Sequence, residues 1–132
     1  MNNNTIDLSA WIEYFKGNKN YLFIKKLVYN NLIFTNDIIL IELLPFIIHR
    51  NESKLAELLR SLRKITLSID WQEIQNIQIL NLKYGNNNVG IPNIIVAQNC
   101  VQNNLILITK DKHFKAMSKY IPLKLFANYQ TQ

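Results

Sequence analysis

This sequence predicts an α/β fold, and three observations carry the prediction. Short apolar runs alternate with stretches of helical periodicity along the whole chain. Leu105-Ile106-Leu107-Ile108-Thr109 is continuous and apolar, as strands buried on both faces are. Strands separated by helices return through right-handed crossovers, which gives a three-layer α/β/α sandwich around a mainly parallel central sheet. At 132 residues the chain reads as one domain, residues 1–132, able to bury roughly two-thirds of its unfolded surface without staples.

The elements follow in order. A strand near Asn4–Asp7 leads into a short helix with Trp11, Ile12 and Phe15 on its apolar face. Tyr21, Ile24, Leu27 and Val28 keep helical spacing, and a second strand is expected at Leu32–Thr35. Asp37 is a fitting N-cap for a helix from Ile38 to about His49, which Pro45 should kink beside Glu42. Leu55, Leu58, Leu59 and Leu62 mark the next helix. A third strand is expected at Ile65–Ser68. Asp70 can cap a helix carrying Trp71, Ile74, Ile77 and Leu80 and ending at Tyr84-Gly85. Pro92 suits position N1 of a helix running to about Gln102. After the Leu105–Thr109 strand come a short helix, Lys112–Met117, and a last strand near Leu123–Phe126.

Composition narrows the function classes. The chain has no apolar stretch near the ~18 residues of a membrane span and begins without a secretory signal pattern, so no membrane association is expected. A single cysteine, Cys100, excludes a disulfide framework and fits a cytoplasmic setting. The net charge of +6 gathers at Lys16, Lys19, Lys25 and Lys26, at Arg60, Arg63 and Lys64, and around Asp111. Such clusters are either solvated faces or an electrostatic footprint for nucleic acid, and the one around Asp111 favours the second.

Three acids stand where a carboxylate is costly. Asp7 ends the first strand, Asp111 follows the Leu105–Thr109 run, and Glu42 interrupts Ile38-Ile39-Leu40-Ile41 and Leu43-Leu44, a stretch that otherwise reads as buried. Unpaired buried carboxylates cost several kcal/mol or more, so such acids pair or bind metal. Acids at strand ends of an α/β sheet also share the crevice beyond the carboxyl ends of the strands. With Asn93 at a helix start facing the same end, these positions form a candidate site for Mg²⁺ or Mn²⁺, ions that favour oxygen ligands.

Four local strings, in order and spanning essentially the whole chain, resemble PIN-domain proteins of the VapC toxin type. Ile6-Asp7-Leu8-Ser9-Ala10-Trp11-Ile12-Glu13-Tyr14-Phe15-Lys16-Gly17 is similar to that family's opening, and Asn36-Asp37-Ile38-Ile39-Leu40-Ile41-Glu42-Leu43-Leu44 to the segment carrying its second acid. Gly90-Ile91-Pro92-Asn93-Ile94-Ile95-Val96-Ala97-Gln98 looks like the third motif, and Leu107-Ile108-Thr109-Lys110-Asp111-Lys112-His113-Phe114 like the fourth. The resemblance implies one PIN-like domain and an Mg²⁺- or Mn²⁺-dependent endoribonuclease, the toxin of a toxin–antitoxin pair. It implies Asp7, Glu42 and Asp111 as acidic ligands, with Ser9 and Thr109 as supporting hydroxyls. It also implies a homodimer, and an antitoxin whose C-terminal tail blocks the pocket. Lys110 and Lys112 are the expected contacts to RNA phosphates.

One position departs from the pattern: Asn93 replaces the third acid, removing a negative charge while keeping an amide oxygen that can ligate. Activity is therefore expected to be attenuated. The alternative is an inactive PIN-like module that binds RNA or antitoxin, through natural loss or a deliberate substitution at position 93. His113, where another acid is common, reads as a surface or supporting residue.

Plainer readings stand beside these. Glu42 could pair with Arg50, Arg60 or Arg63, Asp7 could merely cap a helix, and Asn93 could be an ordinary first-turn residue. Trp11, Phe15, Trp71 and Phe114 read as core or interface aromatics. Apolar excess at Trp11, Phe15, Tyr21 and Ile24 suggests a partner-binding groove on the early helices.

Overall fold

The computed structural model describes residues 3–127. At its centre is β1 (Asn4–Ile6), flanked in parallel by β2 (Ile33–Thr35) and β4 (Ile106–Ile108). Asn4 lies opposite both Ile33 and Ile106, and Ile6 opposite Ile108. β3 (Arg63–Lys64) and β5 (Lys124–Leu125) close the edges, giving a five-stranded parallel sheet of order β3-β2-β1-β4-β5. The chain leaves β1 towards β2 on one side and later returns to β4 on the other. The strand order therefore reverses at β1/β4, and a doubly wound sheet opens a crevice at such a point.

Among the described residues, seven α-helices surround the sheet: α1 (Leu8–Phe15), α2 (Phe23–Tyr29), α3 (Asp37–His49), α4 (Ser53–Ser61), α5 (Trp71–Lys83), α6 (Ile91–Gln102) and α7 (Lys112–Met117). α3 packs on α1, α4 and α6, and α5 packs on α6. Ile6, Trp11, Ile24, Leu43, Ile94, Leu107 and Phe114 are completely buried at 0% exposure, so the central strands and one face of each neighbouring helix share one core. No helix among the described residues is long and apolar enough to cross a membrane.

The abundance of asparagine has a structural role. Asn31, Asn51 and Asn104 adopt positive φ (56°, 59° and 52°) directly after α2, α3 and α6. At each stop the next residue's N–H reaches back to a helix carbonyl, as from Leu32 to Leu27, Glu52 to Ile47 and Leu105 to Cys100. These are left-handed helix stops, which asparagine tolerates better than other residues with a side chain. Gly85, at φ 73°, ends α5 in the same way, as Tyr84-Gly85 predicts.

Several expectations need correction. The cap of α3 is Asn36, whose Oδ1 accepts from the Ile39 N–H at 3.0 Å; Asp37 lies in the first turn and pairs with Lys64 at 3.1 Å. The third strand lies at Arg63–Lys64 rather than Ile65–Ser68. Its partner β2 ends at Thr35, because Asn36 already caps a helix, so Ile65 makes one last bond to Thr35 and the chain departs. Pro92 is the second residue of α6 rather than its first. Trp11, Tyr21 and Ile24 are buried in the core, whereas Trp71 is 60% exposed.

Candidate metal centre at the β1/β4 crevice

Each predicted site residue owes its place to a strand end or a helix start. Asp7 follows β1 and caps α1; Thr109 and Asp111 follow β4, and Asp111 caps α7. Asn93 is in the first turn of α6, and Glu42 is one turn into α3. Asp7, Ser9, Glu42, Asn93 and Asp111 line one cavity of about 350 Å³, floored by Leu8, Ile12, Ile39 and Val96.

Asp7 is the most tightly held. Its Oδ1 accepts from Ser9 Oγ at 2.8 Å and from the Ala10 N–H at 3.0 Å, while Oδ2 accepts from Thr109 Oγ1 at 2.6 Å. The Lys110 N–H donates to Ser9 Oγ and the Asp111 N–H to Thr109 Oγ1, each at 2.9 Å. Ser9 and Thr109 thus stitch the end of β1 to the end of β4. Burial raises the Asp7 carboxyl above its usual 3.8; the three hydrogen bonds oppose this, and the nearby Asp111 charge adds to it. The capping reading of Asp7 therefore holds together with the pocket reading rather than replacing it.

Asp111 is held from the other side. Its Oδ1 accepts from the His113 N–H at 2.9 Å and lies 2.8 Å from His113 Nδ1, while Oδ2 accepts from Asn93 Nδ2 at 3.2 Å. His113 therefore supports the site by orienting Asp111. Asn93 meets Asp111 as a donor here; turning its amide over would aim Oδ1 at the same spot, because the two amide faces have the same shape.

Glu42 differs from expectation. It is exposed at the mouth of the cavity, with Ile41 beside it 71% exposed, so the apolar stretch around it is not fully buried. Desolvation alone raises its carboxyl above 4.5, and among the described residues it makes no ion pair with Arg50, Arg60 or Arg63. No group of three His, Cys, Asp or Glu side chains among the described residues is close enough to hold an ion between them. Two features account for this: the side chain facing Asp111 from α6 is the neutral Asn93, and Glu42 stands at the rim. With the Asn93 amide turned over, the donor set would be all oxygen, two mutually repelling carboxylates and an amide, which suits a hard divalent cation.

Glu13 is the residue that sequence reasoning missed. It is buried on α1 and accepts from Asn18 Nδ2 at 2.9 Å, with Lys16 and Lys110 each at 3.5 Å. The Asn18 bond, ahead of the two lysine charges, holds its carboxyl below 4.5. The i,i+3 spacing to Lys16 is its only local signal; Lys110 arrives from the far end of the chain.

The geometry has counterparts among known proteins. A chain in the crystal structure of VapBC2 from Rickettsia felis bound to a DNA fragment from the promoter has the same fold, with TM-score 0.65 and 23% identity over 92% of this chain and 97% of that one. A chain of a toxin–antitoxin complex from Klebsiella pneumoniae has TM-score 0.62 and 19% identity, over 92% and 99% of the two chains. No curated protein matches the sequence. The PIN domain family matches residues 5–120, from the middle of β1 to just beyond α7, and the chain belongs to that family.

Proposed function

We propose that this protein is a VapC-type toxin: an Mg²⁺- or Mn²⁺-dependent endoribonuclease whose activity is attenuated by Asn93. The observation that carries the reading is the gathering of Asp7, Glu42, Asn93 and Asp111 around one cavity at the β1/β4 crevice. Asp7, Asp111 and the Asn93 amide oxygen would hold the ion, with Glu42 swinging in from the rim. A dication there supplies charge neutralisation on a phosphodiester and a more acidic water. Ser9 and Thr109 keep both Asp7 oxygens aimed, His113 fixes the Asp111 rotamer, and Lys112, with Lys110 once it leaves Glu13, would contact the flanking phosphates.

The partner reading belongs with this proposal. The structural neighbours include chains of VapBC2 and of a toxin–antitoxin complex, and Ile41, Phe46 and Ile48 on the same helix as Glu42 are 71%, 48% and 48% exposed. Apolar surface of that kind marks an interaction site. An antitoxin tail would cover it and place a cation in the pocket in place of metal. A cytoplasmic homodimer completes the picture.

Asn93→Asp tests the core of the proposal. Restoring the third charge should raise Mg²⁺-dependent cleavage of total cellular RNA by at least about 10- to 100-fold, the scale on which residues merely supporting a metal site matter. Equal, chelator-sensitive cleavage by both proteins would show that Asn93 is a sufficient ligand. Cleavage by neither would leave the binding module, which the exposed lysines around Asp111 favour as the second reading.

A further inference from the structure

Beside the acid cavity lies a larger recess of about 450 Å³, and Asp111 borders both. Its lining includes Lys110, Lys112 and Lys115 together with Tyr21, Leu125 and Phe126. Asp111 is the one acid on its lining among the described residues, so the balance of charge favours an anion. The three lysines are not equivalent. Lys110 is held by Glu13 at 3.5 Å, whereas Lys112 and Lys115 are exposed and have no ion pair among the described residues. The aromatic part is rigid: Phe126 stacks on Phe23 at 4.8 Å and 7°, and its N–H donates to the Leu107 carbonyl at 2.9 Å.

Cations beside a fixed aromatic surface complement a ligand that is anionic at one end and flat and apolar at the other. We propose that this recess seats one nucleotide of single-stranded RNA next to the phosphodiester presented to the acid cavity, with Lys112 and Lys115 on its flanking phosphates and its base against the Phe126 side. The inference rests on the RNA-directed reading above and deepens it. An acidic peptide would satisfy the lysines but offer nothing flat to the aromatic surface, whereas every base has a face that stacks.

The experiment measures binding of a fluorescently labelled oligouridylate to the whole chain in chelator, so that cleavage plays no part. Lys112→Ala/Lys115→Ala should weaken binding roughly tenfold and make its salt dependence shallower by about 0.7 for each phosphate left without its lysine. Phe126→Leu should weaken binding by at least about threefold with the salt slope unchanged, because stacking carries no counterion. Lys25→Ala/Lys26→Ala removes the same charge from the exposed face of α2 and should cost much less. Melting temperatures establish that each variant is folded, and the lysine pairs decide the matter if Phe126→Leu is not.

Equal weakening by the two lysine pairs would reduce the recess to bulk charge and overturn the proposal. So would a polyglutamate peptide bound as tightly as RNA and equally weakened by Phe126→Leu. Cleavage gained in Asn93→Asp, with unaltered binding in the recess variants, would overturn this inference alone. Recess-dependent binding without cleavage in any variant would support it while rejecting the nuclease reading.

Discussion

Asp7 and Glu13 lie less than two turns apart along α1, both buried, and their carboxyls are pushed in opposite directions. Asp7 is surrounded by neutral donors, namely two hydroxyls and a backbone N–H, and its nearest charge is another acid. Glu13 has an amide and two lysines. A buried acid with cationic partners has its charge compensated within the fold. One held in place by neutral groups is aimed but uncompensated, and it is poised for a cation from outside. The comparison separates an acid compensated within the fold from one that is not, in a way that residue identity cannot.

Metal binding is where the two should part most widely. Asp7→Ala and Asp111→Ala should each lower Mn²⁺ affinity by more than about 10- to 100-fold, the cost of losing even a residue that only supports a ligand. Glu13→Ala should leave it unchanged. Calorimetry on the three proteins checks this; equal affinity in all of them would mean that the cavity does not bind the ion.

Acid stability should separate them next, with opposite signs. The folded chain holds the Asp7 proton more tightly than the unfolded chain does. The contribution of Asp7 is therefore most favourable at low pH and declines as pH rises from 3.8 through the raised folded value. Glu13 contributes stability that is present above 4.5 and is lost as pH falls through its lowered value. In chelator, Asp7→Asn should remove the first slope and Glu13→Gln the second. Urea midpoints measured between these limits would show it, and identical profiles for both variants would erase the distinction.

What was legible in the sequence follows the same line. Asp7 and Asp111 could be read because the first closes a short extended segment and the second follows an apolar run, and the sheet carries both strand ends to one crevice. Asn93 was locatable because Pro92 announces a helix start. The exposure of Glu42 was not legible: Ile41, Phe46 and Ile48 leave α3 apolar on its outer side as well, so periodicity could not say which face was buried. Ile65, Leu67 and Ile69 alternate like a strand and pack on the core, yet β2 ends too early to pair with them. Glu13 depends on Lys110, a partner nearly the length of the chain away. Local patterns conveyed the elements, and long-range partners decided which acids remain uncompensated.

The smallest effect expected is on Glu42, and it tests the other edge of the comparison. This carboxylate has neither the neutral clasp of Asp7 nor the lysines of Glu13 among the described residues, and it stands in solvent at the cavity mouth. Replacing it removes no hydrogen bond among the described residues and relieves the desolvation of its carboxylate. Glu42→Gln should therefore change metal-free stability by less than about 0.5 kcal/mol, as surface substitutions do. Mn²⁺ affinity should fall, though by less than in Asp7→Ala, because a side chain that must swing in from solvent contributes less than one already aimed. Calorimetric melting in chelator, followed by Mn²⁺ titration, measures the two effects separately. A drop of several kcal/mol without metal would mean that Glu42 is partnered after all, and the arginine-paired reading would return.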